Sequence, residues 1–402
     1  MEILAGTAAG VALGTLSGLL PGIHVNTLAS ILVAFLPFLL PLFGPVFIAA
    51  VLVSALVAHC FLDAVPSTFL GVPDADTAVA VLPAHSLCLE GRGEEAVRIA
   101  ALGSATGIVL SIPICLLLLF VMPPLQPAID WVTGIVIVAV VTVLVLHSPS
   151  ARLAIAVFLV SGLLGIFSFR YEYLSPSPFG GSAILMPLLS GLFGVSVLLF
   201  SGKGTVPPQE FTGMEMGARG IVRGTLLGGI AGVVVGWMPG LSNATANGVL
   251  ASAVDSSRDR REYILATSAA NTTNALVGLA AFFAIERTRN GVVSALSAIE
   301  VPPLSQLLVS ATIAALAAYV LTLVLSGMAQ FLEGIDRTRL AAAVIGFVTL
   351  VAFLSAGPFG LLVLALATAI GCVPRLVAIP QVFCMGSIML PVIFFAFGFG
   401  SF

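Results

Sequence analysis

Apolar residues run along this chain in blocks of roughly twenty, the length that crosses a bilayer as a helix. Short polar or Pro/Gly-rich breaks separate the blocks. The pattern predicts helices over 3–19, 25–43, 46–62, 99–121, 129–147, 152–169 and 181–200 in a first half. A second series follows over 217–238, 242–254, 262–285, 304–331, 339–355, 358–373 and 382–399. Residues 63–98 are too polar and too rich in proline for one simple span. Their first part reads as a re-entrant or broken segment, and HSLCLEGRGEEAVR as a solvated loop. SGKGTVPPQEFTGMEM (201–216) reads as a linker between a first membrane repeat, 1–200, and a second, 217–402.

The two series are related. GLLPGIHVNTLASIL (18–32) aligns with GWMPGLSNATANGVL (236–250) at an offset of 218. Upstream, Gly10, Gly14 and Gly18 pair with Gly228, Gly232 and Gly236, and glycine at every fourth position makes a helix face that another backbone can approach closely. Weaker echoes follow in the same order. They are Ile129-Asp130 with Ile335-Asp336, VTVLVLHS with VTLVAFLS, and GSAILMP with GSIMLP. Each copy reads as a Gly-faced helix, a Pro-Gly interruption bearing polar side chains, and a second apolar helix.

Composition fixes the class. Of 402 residues 59% are hydrophobic and 8% charged, with mean hydropathy +1.18, whereas soluble domains carry roughly 25% charged residues. The expectation is an all-α polytopic membrane protein with no nucleic-acid partner. Barrel strands would instead give short alternating segments. Five scattered cysteines without C-x-x-C spacing read as core residues, not as a disulfide or metal framework. Glu2 and the absence of a basic n-region argue against a cleaved signal peptide.

With seven crossings per half and the linker inside, only Arg170, Arg287 and Arg289 of the fifteen Lys and Arg fall outside. Positive-inside bias favours that orientation. An odd number of crossings then makes the halves inverted-topology repeats of six or seven helices, with broken or re-entrant helices at the Pro-Gly loops. Such repeats place substrate and ion sites near the midplane.

The polar tips are the leading candidates for binding a small organic anion. They are His24, Asn26 and Thr27 in one copy, and Ser242, Asn243, Thr245 and Asn247 in the other. Helix N-termini suit an anion, and freed carbonyls and hydroxyls suit Na⁺. The alternative is that these side chains only cap broken helices.

A second pair of stretches, 61–77 and 267–288, brings Asp63, Ser67 and Thr68 opposite Asn271, Thr272, Thr273 and Asn274. Asp63 aligns with Asn274 at an offset of 211. An intramembrane carboxylate is costly and lines a pathway by default, so Asp63, Ser67, Thr68, Thr272 and Thr273 are candidates for ion coupling. An interfacial Asp ending a helix is the alternative.

Asp74 and Asp76 read as loop or interfacial acids, with an ion or substrate role as the alternative. Glu286, Arg287 and Arg289 read as a salt-bridged outer loop or as an Arg that meets the anion. His59 and His147 read as core residues. GRGEE (91–95) lacks the spacing of a phosphate loop.

At GLLPGIHVNTLASILVAFLP (18–37), TFLGVPDADTAVAVLPAHSLCLEGRGEEAVRIAALGSATG (68–107), GWMPGLSNATANG (236–248) and SAANTTNALVG (268–278) the chain resembles the TctA-like large membrane subunit of the tripartite tricarboxylate transporters. It looks like a divergent member, with PGIH and AFFAIERTRN where the family pattern differs. The resemblance implies a secondary active permease for carboxylates in the cytoplasmic membrane of a prokaryote, driven by a Na⁺ or H⁺ gradient and holding no cofactor. It also implies a small membrane subunit and an extracytoplasmic binding protein as partners. Asn26, Thr27, Ser242, Asn243, Asn271 and Asn274 would build the site. A homo-oligomer stays open. The competing readings are an intramembrane enzyme on a lipid-linked substrate, using Asp63, Asp74, Asp76 and His59 or His85, and a membrane scaffold. The few, dispersed acids speak against the enzyme, and the polar tips against the scaffold.

Overall fold

The computed structural model describes residues 1–20, 25–71, 81–175, 184–200, 205, 207–238, 240–254, 259–288, 290–328 and 336–399. Its helices are α1 (Glu2–Leu19), α2 (Val25–Leu62), α3 (Ala64–Leu70), α4 (Val81–Leu89), α5 (Gly93–Leu146) and α6 (Ala151–Arg170). Then come α7 (Leu185–Leu189) and α8 (Ser196–Leu198), joined by a π turn, followed by α9 (Ala218–Trp237), α10 (Asn243–Ala253), α11 (Arg260–Ile285) and α12 (Gly291–Leu296). α13 (Leu304–Gly327), α14 (Arg337–Leu376) and α15 (Gly386–Ala396) complete the series. Among the described residues, eight helices are long and apolar enough to cross a membrane. Large apolar side chains such as Leu117, Phe120, Trp131 and Leu316 stand exposed, which lipid permits and water does not. The protein is an all-α, multi-pass membrane protein.

Some predicted helices are fused. α2 contains both 25–43 and 46–62, divided at Gly44 (φ 73°), and α14 is divided likewise at Gly357 (φ 61°). In each case Gly takes a positive φ that other residues resist, and the following Pro starts the next helix. α5 has 54 residues. Straight, it would reach about 80 Å, against a hydrocarbon core of about 30 Å.

The packing explains the fourfold glycine spacing. A Cβ at Gly6, Gly10, Gly14 or Gly18 would meet the carbonyl oxygen of Phe47, Val51, Ala55 or His59 at no more than 3.2 Å. In the second half Gly224, Gly228, Gly232 and Gly236 face the carbonyls of Glu262, Ala266, Ala270 and Asn274 in the same way. The partner lies 41 residues ahead in every pair of the first set and 38 in every pair of the second. Each glycine helix therefore runs parallel to its neighbour, in one constant register. That register sets His59, rather than Asp63, in the place Asn274 occupies, since Gly18 and Gly236 are the matched glycines. The sequence alignment at an offset of 211 is displaced by four residues from the packing.

Chain directions follow from other pairs. Gly103 and Gly107 of α5 abut Leu265 and Ala269, so the first arm of α5 parallels α11. That arm runs opposite to α2 and α3, because Ser104 bonds the Cys60 carbonyl while Gly93 meets Phe69. α10 is antiparallel to α11 through Asn243–Asn271 and Tyr263–Asn247. The second arm of α5 parallels α10 through Ile137–Gly240 and Leu144–Gly248. α5 thus doubles back around its prolines 123, 124 and 127, and α1 and α9 point in opposite directions. Farther along, α6 packs on α15 (Gly165 on Ser387), and the end of α14 on the π turn (Gly371 on Leu192), so each half clasps a short apolar helix of the other.

Candidate functional site

α9 ends at Trp237, level with Asn274 of its parallel neighbour. α11 continues for another eleven residues, to Ile285. The chain then turns through Gly240 (φ 77°), where a Cβ would stand 2.7 Å from both Ile137 and Val392 side chains. Only glycine fits that turn. Ser242 caps the next helix, its Oγ accepting from the Thr245 N–H at 3.3 Å. α10 then begins with Asn243.

Three elements converge there. The Asn243 Nδ2 donates to Asn271 Oδ1 at 2.7 Å, and the Asn271 Nδ2 donates to Asp63 Oδ2 at 3.3 Å. Asn243 is 1% exposed, Asn271 6% and Asp63 6%. The Asn243 Oδ1 is also buried, with no hydrogen-bond partner among the described residues. Asn271 lies eleven residues into α11, about 16 Å from its start and so about half of the hydrocarbon thickness. The arrangement is a chain of two amides ending on a carboxylate near the middle of α11, with the positive end of α10 beside the first amide. Ser67 tightens the turn at Asp63, its Oγ donating to the Asp63 carbonyl at 2.7 Å.

The other candidates disperse. Asn26 accepts from the Gly291 N–H at 2.8 Å and so holds the start of α12. Thr245 lies 3.9 Å from the Met389 sulfur. Thr272 bonds back to the Ser268 carbonyl within its own helix. Thr273 meets Ser111 Oγ at 3.2 Å and joins α11 to α5. The Thr68 carbonyl lies 2.8 Å from His85 Nδ1, and Asn274 is half-buried beside Gly232 and Gly236. His24, the Thr27 side chain, Asp74, Asp76 and Arg289 lie outside the described residues. Sequence reasoning passed over Tyr263, which is fully buried and donates to the Asn247 carbonyl at 2.9 Å, fixing α10 against α11. Its one signal was a tyrosine, one of four in the chain, near the start of an Ala/Thr/Asn-rich helix.

Polar networks flank the site at both ends. Toward the Arg260 end, buried Glu95 receives Arg261 Nε at 2.8 Å, Arg92 Nε at 2.9 Å and the Glu215 N–H at 2.8 Å. Arg260 clasps Glu90 at 2.6 and 3.1 Å. Gln209 accepts from the Gly93 N–H at 2.8 Å, so residues 207–217 are strapped across the α4–α5 turn. The Arg92 guanidinium holds the Glu215 carboxyl below its ordinary value, and Arg260 does the same for Glu90. A cavity of about 350 Å³ opens there among Glu215, Arg219, Arg223, Asp259 and Glu262. At the opposite end Arg287 pairs with Asp130 at 2.7 Å. Asp130 accepts from Gln126 Nε2 at 2.7 Å, and Gln126 Oε1 accepts from Trp237 Nε1 at 2.8 Å.

Known proteins bear on this geometry. An uncharacterized protein of Methanocaldococcus jannaschii is 29% identical over 245 residues, 61% of this chain and 61% of that protein. No solved structure matches. The family model described as "Tripartite tricarboxylate transporter TctA family" matches residues 4–386, nearly the whole sequence. On that match the chain belongs to the tripartite tricarboxylate transporter TctA family.

Proposed function

We propose that this protein is the permease of a secondary active system that moves small carboxylates across a prokaryotic cytoplasmic membrane. The observation that carries the reading is the buried chain Asn243–Asn271–Asp63, set near the middle of α11 where α9 is interrupted. N–H groups at the start of α10 offer donors to an anion, with the side chain of Asn243 beside them. Asp63 offers a site for the charge that accompanies it, Na⁺ or H⁺. Residues 1–200 and 217–402 act as inverted repeats joined by 201–216. The opposed directions of α1 and α9, and the matched glycine registers, support this. Family membership supports a small membrane subunit and an extracytoplasmic binding protein as partners. A transporter rather than an enzyme fits the family and the membrane-helical fold.

The test is uptake of labelled citrate, and of a panel of smaller carboxylates, into proteoliposomes holding the full chain, with and without the proposed partners. Gradient-dependent uptake is expected, and Asn243→Ala is expected to abolish it at unchanged protein abundance. Uptake near the wild-type rate in that variant would remove Asn243 from the site. No gradient-dependent uptake of any carboxylate would refute the function.

A further inference from the structure

We propose that Asn243, Asn271 and Asp63 form a proton-operated amide relay that converts the site from an acceptor to a donor. The idea rests on the reading of this site as carboxylate-binding. The direction of the relay is fixed at its Asp63 end. An ionised carboxylate has only acceptors, so Asn271 must turn its Nδ2 to Asp63 and its Oδ1 to Asn243. Asn243 in turn spends its Nδ2 on Asn271. Its Oδ1 is left buried and unpartnered among the described residues, beside the start of α10. In that state the site shows a lone pair to an incoming anion.

A proton on Asp63 reverses the order. The carboxyl O–H donates to Asn271 Oδ1 once that amide turns over, and Asn271 Nδ2 then donates to Asn243 Oδ1. The Asn243 Nδ2 is released toward the place its oxygen held, next to the free N–H groups of α10. No covalent bond other than the carboxyl O–H is made. One proton enters from water and one anion gains a donor, so proton and anion bind together and travel together.

Asp63 is the ionisable member of the relay, and among the described residues the helices around it carry few other charged groups; His24, Asp74 and Asp76 lie outside those residues. α11 carries no acid or base between Tyr263 and Glu286, and α10 carries none. On α1 the only charged side chain is Glu2, at the far end. On α5, Glu94, Glu95 and Arg98 lie at the ion-paired start and Asp130 beyond the bend, and on α3 there is none. His59, one turn before Asp63, has its Nδ1 3.1 Å from Ser17 Oγ, and His85 of α4 faces the Thr68 carbonyl.

The experiment uses the full-length protein in nanodiscs, with citrate as the probe. Infrared titration should show the carbonyl stretch of a protonated carboxylic acid, absent in Asp63→Asn. Side-chain amide bands should shift at the same pH. Citrate affinity should rise about tenfold per pH unit of acidification relative to Asp63→Asn, whose amide does not titrate; comparing the two removes citrate's own titration. Asn271→Ala should keep the acid band and lose the pH slope. Equal proton uptake on citrate binding by wild type and Asp63→Asn would overturn the relay, as would amide bands that ignore the acid band. If instead the bands shift together while no carboxylate is bound, the relay stands and the transport reading falls.

Discussion

Gly232→Ala tests whether the glycine seam sets the geometry of the site. The added Cβ would lie 2.6 Å from both the Ala270 carbonyl oxygen and the Thr273 Cβ, and 3.0 Å from the Asn274 N–H nitrogen. Ordinary contact begins at 3.4 Å, so α9 must retreat from α11 by about 0.8 Å, an overpacking that costs about 1–3 kcal/mol. Backbone atoms and a β-branched residue oppose the methyl, so no rotamer change relieves it. The same retreat acts on Asn243, six residues past the end of α9. Its 2.7 Å bond to Asn271 would open toward 3.5 Å and cease to hold. Gly220→Ala is the control, because its Cβ would meet nothing nearer than 3.5 Å. Thermal unfolding in detergent, followed by carboxylate uptake, reads both effects. We expect a melting temperature lower by a few degrees and uptake reduced at least tenfold for Gly232→Ala, with Gly220→Ala near wild type on both. Equal melting temperatures and equal uptake in the two variants would refute the seam as a determinant of the site.

Three further outcomes are expected. Glu95→Ala removes the buried carboxylate shared by Arg261 and Arg92 and leaves them Glu215, and it should cost about 1–3 kcal/mol, whereas Glu90→Ala, at an exposed pair, should cost under about 1 kcal/mol; thermal melts of both variants decide it. The carboxyls of Glu215 and Glu90 are held below the ordinary value of 4.5. Their contribution is therefore complete above that value and is lost only as pH falls through the lowered ones. The strap at 207–217 should accordingly resist pepsin near Phe211 until the pH drops under the ordinary carboxylate range, and cleavage already at that range would contradict the pairing. Gln126→Leu, made in a Trp131→Phe background, removes the acceptor of the Trp237 indole N–H. It should shift the remaining tryptophan emission to the blue and cost about 1–2 kcal/mol.

Much of this architecture was legible because its causes are periodic. The glycines at every fourth position announced a close backbone contact, and the contact is made to carbonyl oxygens along both copies. Ser242 and Asn243 were found because polar side chains after a Pro-Gly break stand out in apolar sequence, and Asn271 and Asp63 because amides and acids are rare in spans. What periodicity does not encode is which rare groups meet. Asp63 reaches Asn271 across 208 positions, whereas Asn26, matched by motif to the second loop, is spent on the Gly291 backbone. Thr272 and Thr273 are adjacent, yet one turns back on its own helix and the other on α5. The doubling-back of α5 was legible from its prolines. The strap was not: 201–216 read as a plain linker, because its anchors Gln209 and Glu215 look like any solvated side chains until Arg92 and Glu95 are placed beside them.

Charge accounting carries the functional argument one step further. α10 brings no charged residue, and α11 none between Tyr263 and Glu286, so neither helix supplies a fixed cation to an anion bound at Asn243. The partial charge at the start of α10 is equivalent to roughly half an elementary charge, too little to neutralise a dicarboxylate or tricarboxylate at mid-bilayer depth. Asp63 adds the wrong sign. On the proposed reading the empty site therefore disfavours its own substrate until a cation arrives, and an uncoupled leak of anion is suppressed by electrostatics alone. A lysine at position 271 would break that logic by supplying the missing charge and pairing with Asp63. Asn271→Lys should bind carboxylate without the gradient and fail to release it, so binding would persist while turnover stops. Coupled transport at the wild-type rate in that variant would show that the cation neutralises some other part of the pathway.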